Sequence, residues 1–306
     1  MANDKTIGLI QVSDEMLKTG IAGASVSWKL GEEIDHDELC QKLTATGITM
    51  LPEPATPAAA LLRVMTNLFQ KRDQLVKPVP NPNRSKLPAY GVLPKEESAN
   101  KKVAFVESWA CGLDKDGNGE VSLLFSESAP QNAKDDVEVL YPAALATLGG
   151  TEISVWLVAF VKTVLKGVPT IGGAGTYFIG PEEEKTWRTL REVLHPYGAR
   201  LYEIPAMRSE QAMECVLESV KKYTETAMEE LKEDLQKYQA IKADPDPKKR
   251  SIQGRVLDAR LKTITHQCEV VERYESIFDT KLGELRQSLS SLQIGFAALA
   301  SGAIEG

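Results

Sequence analysis

The feature that most constrains the fold is a long heptad pattern near the end of the chain. Between Leu257 and Leu299 every seventh residue is apolar, and a second set, offset by four, is apolar except at Glu275. The two apolar sets are Leu257, Ile264, Val271, Phe278, Leu285, Leu292 and Leu299, and Leu261, Cys268, Leu282, Leu289 and Phe296. This 4-3 spacing is typical of a helix that buries one narrow stripe against another helix. The pattern predicts one long helix over this range.

A second stripe with the same spacing comes before it. Its residues are Met213, Leu217, Val220, Thr224, Ala227, Leu231, Tyr238 and Ile241, with Asp234 as the break. Pro245 and Pro247 lie between the stripes and forbid a continuous helix, because proline lacks an N–H and restricts the residue before it. A short turn makes two helices antiparallel neighbours. Residues 206–306 are therefore predicted to form a helical hairpin with its tip near Asp244–Pro247.

The later stripe is longer than its predicted partner. At about 1.5 Å per residue, the excess length is on the order of 20 Å. The apolar side chains in this excess are Leu285, Leu289, Leu292, Phe296 and Leu299. An uncovered stripe of this kind has to be covered by the rest of the chain or by another copy. We expect these residues to form the oligomerisation surface of a homo-oligomer.

The first 205 residues have the pattern of a mixed α+β body. Period-two alternation and helix-cap residues mark its elements. Predicted strands are 22–30, 103–111, 120–126 and 199–204, predicted helices begin at Asp35, Thr56, Thr151 and Pro181, and a proline-rich loop is predicted over 77–94. The predicted class is α+β, with a body at 1–205 followed by a long antiparallel helical hairpin, a coiled-coil arm, at 206–306.

The composition is that of a soluble globular protein. Of 306 residues, 42% are hydrophobic and 26% are charged, and the formal net charge is −7. This acidic balance argues against a general affinity for nucleic acid. Four cysteines far apart in the sequence fit a reducing compartment, and the first residues lack the features of a signal peptide. The longest apolar run, 153–165, is too short to span a bilayer, so a cytoplasmic location without membrane association is expected.

The predicted hairpin tip is strongly basic. Between Lys237 and Lys262 there are eight basic and three acidic residues, a local charge of +5 in a chain of −7. The candidate partner-binding residues are Lys248, Lys249, Arg250, Arg255 and Arg260. A solvated coiled-coil surface accounts for this charge, and so does a docking tip for an acidic protein surface or for nucleic acid. Few aromatic residues lie nearby, which weakens the case for base stacking.

One segment resembles the calcium loop of an EF-hand. The matching positions are Asp114, Asp116, Asn118, Gly119 and Ser122. Oxygen ligands at alternate positions around a glycine turn are what calcium requires. However, Phe125 stands where the bidentate glutamate belongs, and the flanking residues have the pattern of strands rather than helices. A β-hairpin turn is therefore the preferred interpretation.

Other motifs are also weighed against structural roles. The glycines at 172–175 precede a strand and lack the Lys-Ser/Thr of a phosphate loop, so a tight turn is preferred over a nucleotide site. His36 and Cys40 are four apart on a predicted helix, but zinc requires three or four ligands. The sequence contains neither a nucleophile elbow nor an HExxH motif. We predict no catalytic residues, no cofactor and no metal site.

A run of elements begins at the glycine cluster and continues as a Tyr-Phe strand, a helix, a strand, a proline and long helices. The residues that define it are Gly172, Gly173, Tyr177, Phe178, Ile179 and Pro181, with Trp28 as a looser match. This order resembles an uncharacterised family of bacteriophages, prophages and bacterial plasmids, although Gly180 here separates the strand from the proline. The resemblance covers roughly half of the chain. It implies a similar fold and a phage-like setting, and it implies no activity.

The functional expectation rests on shape and charge. We expect a non-enzymatic, self-associating cytosolic protein that binds a macromolecular partner, for example a phage-encoded adaptor or an inhibitor that wraps a host complex. Two alternatives stay open. One is a nucleic-acid-associated protein that binds through the basic tip, and the other is an enzyme of unrecognised type in the α+β body.

Overall fold

The structure is a computed structural model that describes residues 20–71, 73–97, 103–105, 108–170, 175–207, 209–244 and 252–301. Over these residues the chain forms helices and small antiparallel sheets, so the predicted α+β class is confirmed. The strands are β1 (Ile21–Lys29), β2 (Ile34–Asp35), β3 (Gln74–Pro78), β4 (Ala89–Glu97), β5 (Val103–Phe105), β6 (Trp109–Lys115), β7 (Val121–Phe125), β8 (Thr147–Leu148), β9 (Val168–Pro169), β10 (Tyr177–Ile179) and β11 (Arg200–Met207). The helices are α1 (His36–Ala45), α2 (Pro57–Phe69), α3 (Gln131–Ala146), α4 (Gly150–Thr163), α5 (Glu184–Leu194), α6 (Glu210–Lys242), α7 (Gly254–Phe278) and α8 (Gly283–Ser301).

The chain divides into two compact units. The terminal unit holds the described residues within 20–29, 157–195 and 199–301, and the central unit holds those within 30–156 and 196–198. The predicted boundary at residue 205 lies inside the terminal unit. The reason is that β11 pairs with β1, while Ala22 of β1 shares a core with residues of α6 and α7. The sheet strands and the long helices therefore belong together.

The central unit is built on a sheet covered by two helices. Its strand order is β3-β4-β6-β7, with β5 paired to β4. Helix α2 begins as its sequence predicts, because the hydroxyl of Thr56 accepts a hydrogen bond from the N–H of Ala59 at 3.2 Å. Leu61 of α2 and Val137 of α3 pack with Cys111 of β6 in the core. This core holds the two helices against one face of the sheet.

Part of the predicted loop over 77–94 is strand. Strands β3 and β4 pair with each other and leave a shorter connection between them. This connection is held by Asn81, which is only 5% exposed. Its side-chain amide donates to the carbonyl oxygen of Leu113 at 2.8 Å and to that of Leu87 at 3.2 Å. A buried amide thus ties down a segment whose prolines cannot donate backbone hydrogen bonds.

The EF-hand-like segment forms the turn of the β6–β7 hairpin, as predicted. One carboxylate oxygen of Asp116 accepts hydrogen bonds from the backbone N–H groups of Asn118 at 2.9 Å and Glu120 at 2.8 Å. The N–H of Gly119 donates to the carbonyl oxygen of Asp116 at 3.0 Å. The carboxylate therefore stabilises the turn, and the expectation that the segment binds no calcium stays a prediction.

The terminal unit contains a four-stranded sheet in the order β11-β1-β10-β9. On one face, the ring of Trp28 lies 5.7 Å from that of Tyr177 and 6.2 Å from that of Trp187 in α5. On the other face, Phe178 packs against Tyr274 of α7. The hydroxyl of Tyr274 also donates to the carbonyl oxygen of Phe178 at 3.0 Å. Packing and a buried hydrogen bond together fix α7 to the sheet.

Helices α6, α7 and α8 form an up-down-up bundle. Helices α6 and α7 are antiparallel, as predicted, because Tyr223 bonds Gln267 while Asp234, further along α6, pairs with Arg260, which is earlier in α7. The predicted tip falls largely outside the described residues. Helix α8 returns beside α6, where the ring of Phe296 lies 6.4 Å from that of Tyr238. None of the helices in the described ranges has the length and apolarity needed to cross a membrane.

The prediction of one long helix over Leu257–Leu299 is wrong. Helix α7 ends at Phe278, and Asp279 adopts the left-handed conformation with φ 47°. The N–H of Thr280 then donates to the carbonyl oxygen of Glu275 at 3.1 Å, which closes the end of the helix. After this reversal the stripe of α8 faces the same core as the stripe of α7. The heptad pattern therefore continues through a break in the helix.

Candidate functional site

The predicted oligomerisation residues lie inside the bundle. Their exposed fractions are 6% for Leu285, 0% for Leu289, 4% for Leu292 and 0% for Phe296, and Leu299 packs against the same cluster. The cluster is completed by side chains of α6 and α7. The premise that this stripe lacks a partner within the chain is therefore wrong, because the turn after α7 folds α8 back onto both helices. Burial of each large side chain stabilises the bundle by roughly 1.5–3 kcal/mol.

Beyond Arg286 in its first turn, the opposite face of α8 is exposed and uncharged. We call it the outer face of α8, and its residues are Gln287, Ser290, Ser291, Gln293, Ile294, Ala297, Ala298 and Ser301. The side chain of Ile294 is 69% exposed. In a chain that is 26% charged, a helical surface about 20 Å long without a charge is unusual. Short side chains also allow another helix to approach closely.

The basic tip is only partly described, and its described part is less basic than the sequence implies. Lys248, Lys249 and Arg250 lie outside the described residues. Arg255 is exposed, and its Nε donates to the side-chain oxygen of Gln253 at 2.7 Å. Arg260 instead pairs with Asp234 of α6, with 2.6 Å between Nη2 and Oδ2. The charge of Arg260 is therefore used to join α6 to α7.

A polar cavity of about 560 Å³ lies in the terminal unit. We call it the polar cavity, and its lining includes Lys162, Thr170, Lys222, Tyr223, Thr263 and Gln267. Gln267 is 2% exposed, and its side-chain oxygen has no hydrogen-bond partner among the described residues. The other end of this amide bonds Tyr223. The ammonium of Lys162 lies 5.7 Å from the centre of the Tyr223 ring. Lysines and a phenol thus line this cavity, while the oxygen of Gln267 is closed off from solvent.

A second depression, of about 790 Å³, shares part of this lining and extends along α7. There the ammonium of Lys166 contacts the carboxylate of Glu269 and lies 3.4 Å from Nδ1 of His266. Burial and the charge of Lys166 lower the pKa of His266. The imidazole is therefore neutral at neutral pH and accepts a hydrogen bond from the ammonium. Lys166 and Glu269 thus form an ion pair beside the neutral imidazole of His266.

His36, Asp37 and Cys40 lie together at the start of α1. Nδ1 of His36 is 2.9 Å from the Asp37 carboxylate, and its Nε2 is 3.5 Å from the sulfur of Cys40 and 3.2 Å from the carbonyl oxygen of Pro52. Partial burial and the charge of Asp37 raise the pKa of the Cys40 thiol. A protonated thiol is a weak nucleophile and a poor metal ligand. Within the described ranges, no group of three or more His, Cys, Asp or Glu side chains could hold a metal ion.

The described part of the glycine cluster forms a turn between β9 and β10. The N–H of Thr170 donates to the carbonyl oxygen of Thr176 at 3.0 Å, and its hydroxyl donates to the same oxygen at 3.2 Å. Gly175 has φ +78°, a conformation that favours glycine, while 171–174 lie outside the described residues. The tight-turn interpretation of the glycines at 172–175 therefore stays a prediction.

Sequence reasoning missed the polar cavity because its lining comes from separate elements. Lys162 lies in the last turn of α4, Tyr223 belongs to α6 and Gln267 belongs to α7. One signal was present in the sequence. Val270 and Tyr274 add a second apolar face to α7, outside the heptad stripe, and this face packs on the sheet residues. Gln267 is the polar residue one turn before them on that face.

The whole described site lies within a single match to a known family. Neither the curated proteins nor the solved structures contain a significant match to this chain. One family's sequence profile does match, from residue 22 to residue 304. The matched range includes α6, α7 and α8 and every residue of the polar cavity. The chain belongs to DUF6744, a family of unknown function.

Proposed function

We propose that the protein is a non-enzymatic, self-associating binding protein, and that two copies pair through the outer face of α8. The observation that carries the proposal is the exposed Ile294 on a helical face without charges. This surface replaces the buried stripe as the site of self-association. Self-association is thus still proposed to use α8, but through its outer face rather than through the buried stripe.

Charge supports a second copy as the occupant of this face. The chain carries a formal charge of −7, so two copies repel each other on the whole. At the outer face of α8, serine, alanine and glutamine meet the same residues about a two-fold axis, and no like charges are opposed. An acidic or basic partner would find no complementary charge there.

The expected association is weak. A stable interface buries about 800 Å² on each partner, and one helical face about 20 Å long supplies less than that. Burial of Ile294 contributes roughly 1.5–3 kcal/mol for each copy. We therefore expect a monomer–dimer equilibrium with a dissociation constant on the order of tens of micromolar.

The partner of the assembled protein is proposed to be a macromolecule. The resemblance around Gly172 and Tyr177 to phage, prophage and plasmid proteins supports a host complex as this partner, with the protein as an adaptor or an inhibitor. A cytoplasmic setting belongs to the same proposal and is supported by four cysteines without a disulfide. Nucleic-acid binding through the tip is less favoured because Arg260 is engaged by Asp234.

Equilibrium sedimentation of the full chain tests the proposal. The wild type should show a dimer fraction that rises with concentration up to about 100 µM, and Ile294→Arg should stay monomeric. The matched control is Val139→Arg, which makes the same apolar-to-cationic change on α3 at a side chain that is 75% exposed. The control should associate as the wild type does. A monomeric wild type, or an Ile294→Arg variant that dimerises normally, would rule the proposal out.

A further inference from the structure

We infer that the exposed face of α3 binds a basic amphipathic helix of a partner protein. The inference rests on the proposed binding of a macromolecular partner, and it names the surface and the chemistry of that contact. It does not depend on self-association, because α3 belongs to the central unit and α8 to the terminal unit. Three features of α3 carry it: exposed apolar side chains, carboxylates beside them, and a backbone carbonyl whose helical donor is replaced by a proline.

The first feature is a group of exposed apolar residues in the second half of α3. We call it the apolar patch of α3, and its residues are Val139, Leu140, Pro142, Ala143 and Ala146. Val139 is 75% exposed and Leu140 is 42% exposed. From 139 to 146 the only polar side chain is that of Tyr141, which packs in the core of the central unit. Exposed apolar patches with a polar rim mark binding surfaces.

The second feature is an acidic rim along one end of the patch. It consists of three exposed carboxylates, those of Asp135, Asp136 and Glu138. These positions lie about one helical turn before the patch, so the carboxylates and the apolar side chains share one face of α3. Within the described part of the chain, neither Asp136 nor Glu138 forms an ion pair. Lys134 is the single basic residue of α3, so three carboxylates and one lysine leave the helix with a charge of −2.

The third feature is Pro142, an exposed proline in the interior of α3. Proline has no backbone N–H, so the carbonyl oxygen of Glu138, four residues earlier, loses its α-helical donor. This carbonyl and the carboxylate of the same residue lie where the rim meets the patch, and both accept hydrogen bonds. An arginine guanidinium, which carries five N–H donors, can bond both groups at once.

The exposed face belongs to a helix that is held in place from behind. Val137 and Tyr141 anchor the buried side of α3 in the core of the central unit. At the end of the helix, Nη2 of Arg63 donates to the carbonyl oxygen of Ala144 at 2.5 Å and to that of Thr147 at 2.8 Å. A surface that is already ordered loses little conformational entropy when a partner binds.

The charge of the rim decides which partner fits. A second copy would oppose carboxylates to carboxylates about a two-fold axis, and nucleic acid or an anionic lipid surface would be repelled in the same way. A helix with arginine or lysine in one half and aliphatic residues in the other complements both the rim and the patch. The short side chains of Ala143 and Ala146 allow such a helix to approach closely.

Selection from a library of random peptides of about 16 residues, with the full chain as bait, tests this inference. Enriched peptides should carry basic residues in one half and aliphatic residues at helical spacing in the other. By fluorescence anisotropy they should bind with a dissociation constant below about 100 µM, and replacing their basic residues by glutamate should weaken binding at least about tenfold. Enriched peptides without basic residues, or no enrichment, would overturn the inference.

Vesicles that contain phosphatidylserine separate a protein partner from a membrane. The chain should stay in the supernatant when these vesicles are sedimented, because its acidic rim is repelled by the lipid headgroups. Vesicle binding that Val139→Ser abolishes would assign the apolar patch to a membrane and contradict the inference.

Two variants locate the peptide site on α3. Val139→Ser removes an exposed apolar side chain and Glu138→Gln removes a carboxylate of the rim. Each should weaken binding of the enriched peptides at least about fivefold, and neither should disturb folding because both positions are exposed. Wild-type affinity in both variants would contradict the inference.

Matched controls carry the same changes elsewhere on the surface. Ile294→Ser alters the outer face of α8, and Glu120→Gln alters an exposed carboxylate next to the β6–β7 turn. Both should bind the enriched peptides as the wild type does. Since Ile294→Ser affects the proposed self-association and leaves α3 intact, its result separates the two proposals. Loss of peptide binding in Ile294→Ser would place the site on α8 and overturn the inference.

Discussion

One carboxylate oxygen of Glu275 accepts a hydrogen bond from the backbone N–H of Leu282, at 2.6 Å. Its other oxygen lies 2.7 Å from a guanidinium nitrogen of Arg286. Glu275 therefore binds the segment that enters α8 and the first turn of α8 itself. The polar exception in the heptad stripe is the residue that holds the chain reversal together.

Glu275→Ala should destabilise the protein by about 1–3 kcal/mol, because a carboxylate that bonds a backbone N–H and a guanidinium is lost. The matched control is Glu272→Ala. Glu272 lies 3.6 Å from the same arginine and is exposed, so its loss should cost less than about 0.5 kcal/mol. Urea denaturation of both variants gives the comparison. Equal losses of stability would show that Glu275 does not hold the turn.

The two faces of α8 should respond in opposite ways to the removal of a side chain. Leu289→Ala creates a cavity in the bundle and should lower the free energy of unfolding by about 2–5 kcal/mol. Ile294→Ala on the outer face should change it by less than about 0.5 kcal/mol. Chemical denaturation at a concentration where the protein is monomeric measures both. A large loss for Ile294→Ala would mean that the faces of α8 are assigned the wrong way round.

The stability of the terminal unit should fall on mild acidification through His266. Burial, and then Lys166, lower the pKa of His266 in the folded protein. The unfolded chain thus binds the proton more readily, so this contribution is present above the unfolded pKa of about 6.5 and is lost as the pH falls below it. The wild type should therefore lose more stability than His266→Gln between about pH 7.5 and pH 5.5.

The control for this pH effect is His195→Gln, since His195 is exposed. Denaturation curves of the three proteins at both pH values are compared. His195→Gln should follow the wild type. If His266→Gln has the same pH dependence as the wild type, the titration of His266 does not contribute to stability.

Tyr274→Phe should weaken the attachment of α7 to the sheet and lower the stability of the protein. The variant leaves the ring in place and removes the hydroxyl that donates to the carbonyl oxygen of Phe178. Loss of this buried hydrogen bond should cost about 0.5–1.5 kcal/mol. Tyr202→Phe, at an exposed position of β11, should cost nearly nothing. Thermal denaturation of both variants measures the difference, and equal melting temperatures would contradict the assigned role of this hydrogen bond.

Local patterns made part of this fold predictable. The cap at Thr56 and the α6–α7 hairpin follow from rules that act over a few residues or one helical face. The reversal after Phe278 was not predictable from periodicity, because the stripe keeps its phase on both sides of the break. The available signal was Asp279 followed by Gly283, an aspartate that tolerates the left-handed conformation and a glycine close behind it.

Tertiary structure overrode other local signals. Pro205 was expected to end the strand before the long helices, yet β11 continues to Met207. Strand β11 lies at the edge of its sheet, where a missing N–H costs little. The polar cavity was unpredictable for a different reason. Lys162, Tyr223 and Gln267 are brought together only by the packing of α4, α6 and α7, which no spacing along the chain encodes.

The pairing of β1 with β11 also sets the order in which the protein can fold during synthesis. The central unit is formed mainly by the continuous stretch 30–156, so nearly all its parts emerge from the ribosome together. Strand β1 emerges before them but finds its partners β10 and β11 only after residue 176. Ala22 of β1 can complete its core packing only later, once α7 has been synthesised. A nascent chain that has emerged only as far as residue 176 would carry a nearly complete central unit together with an unpaired first strand.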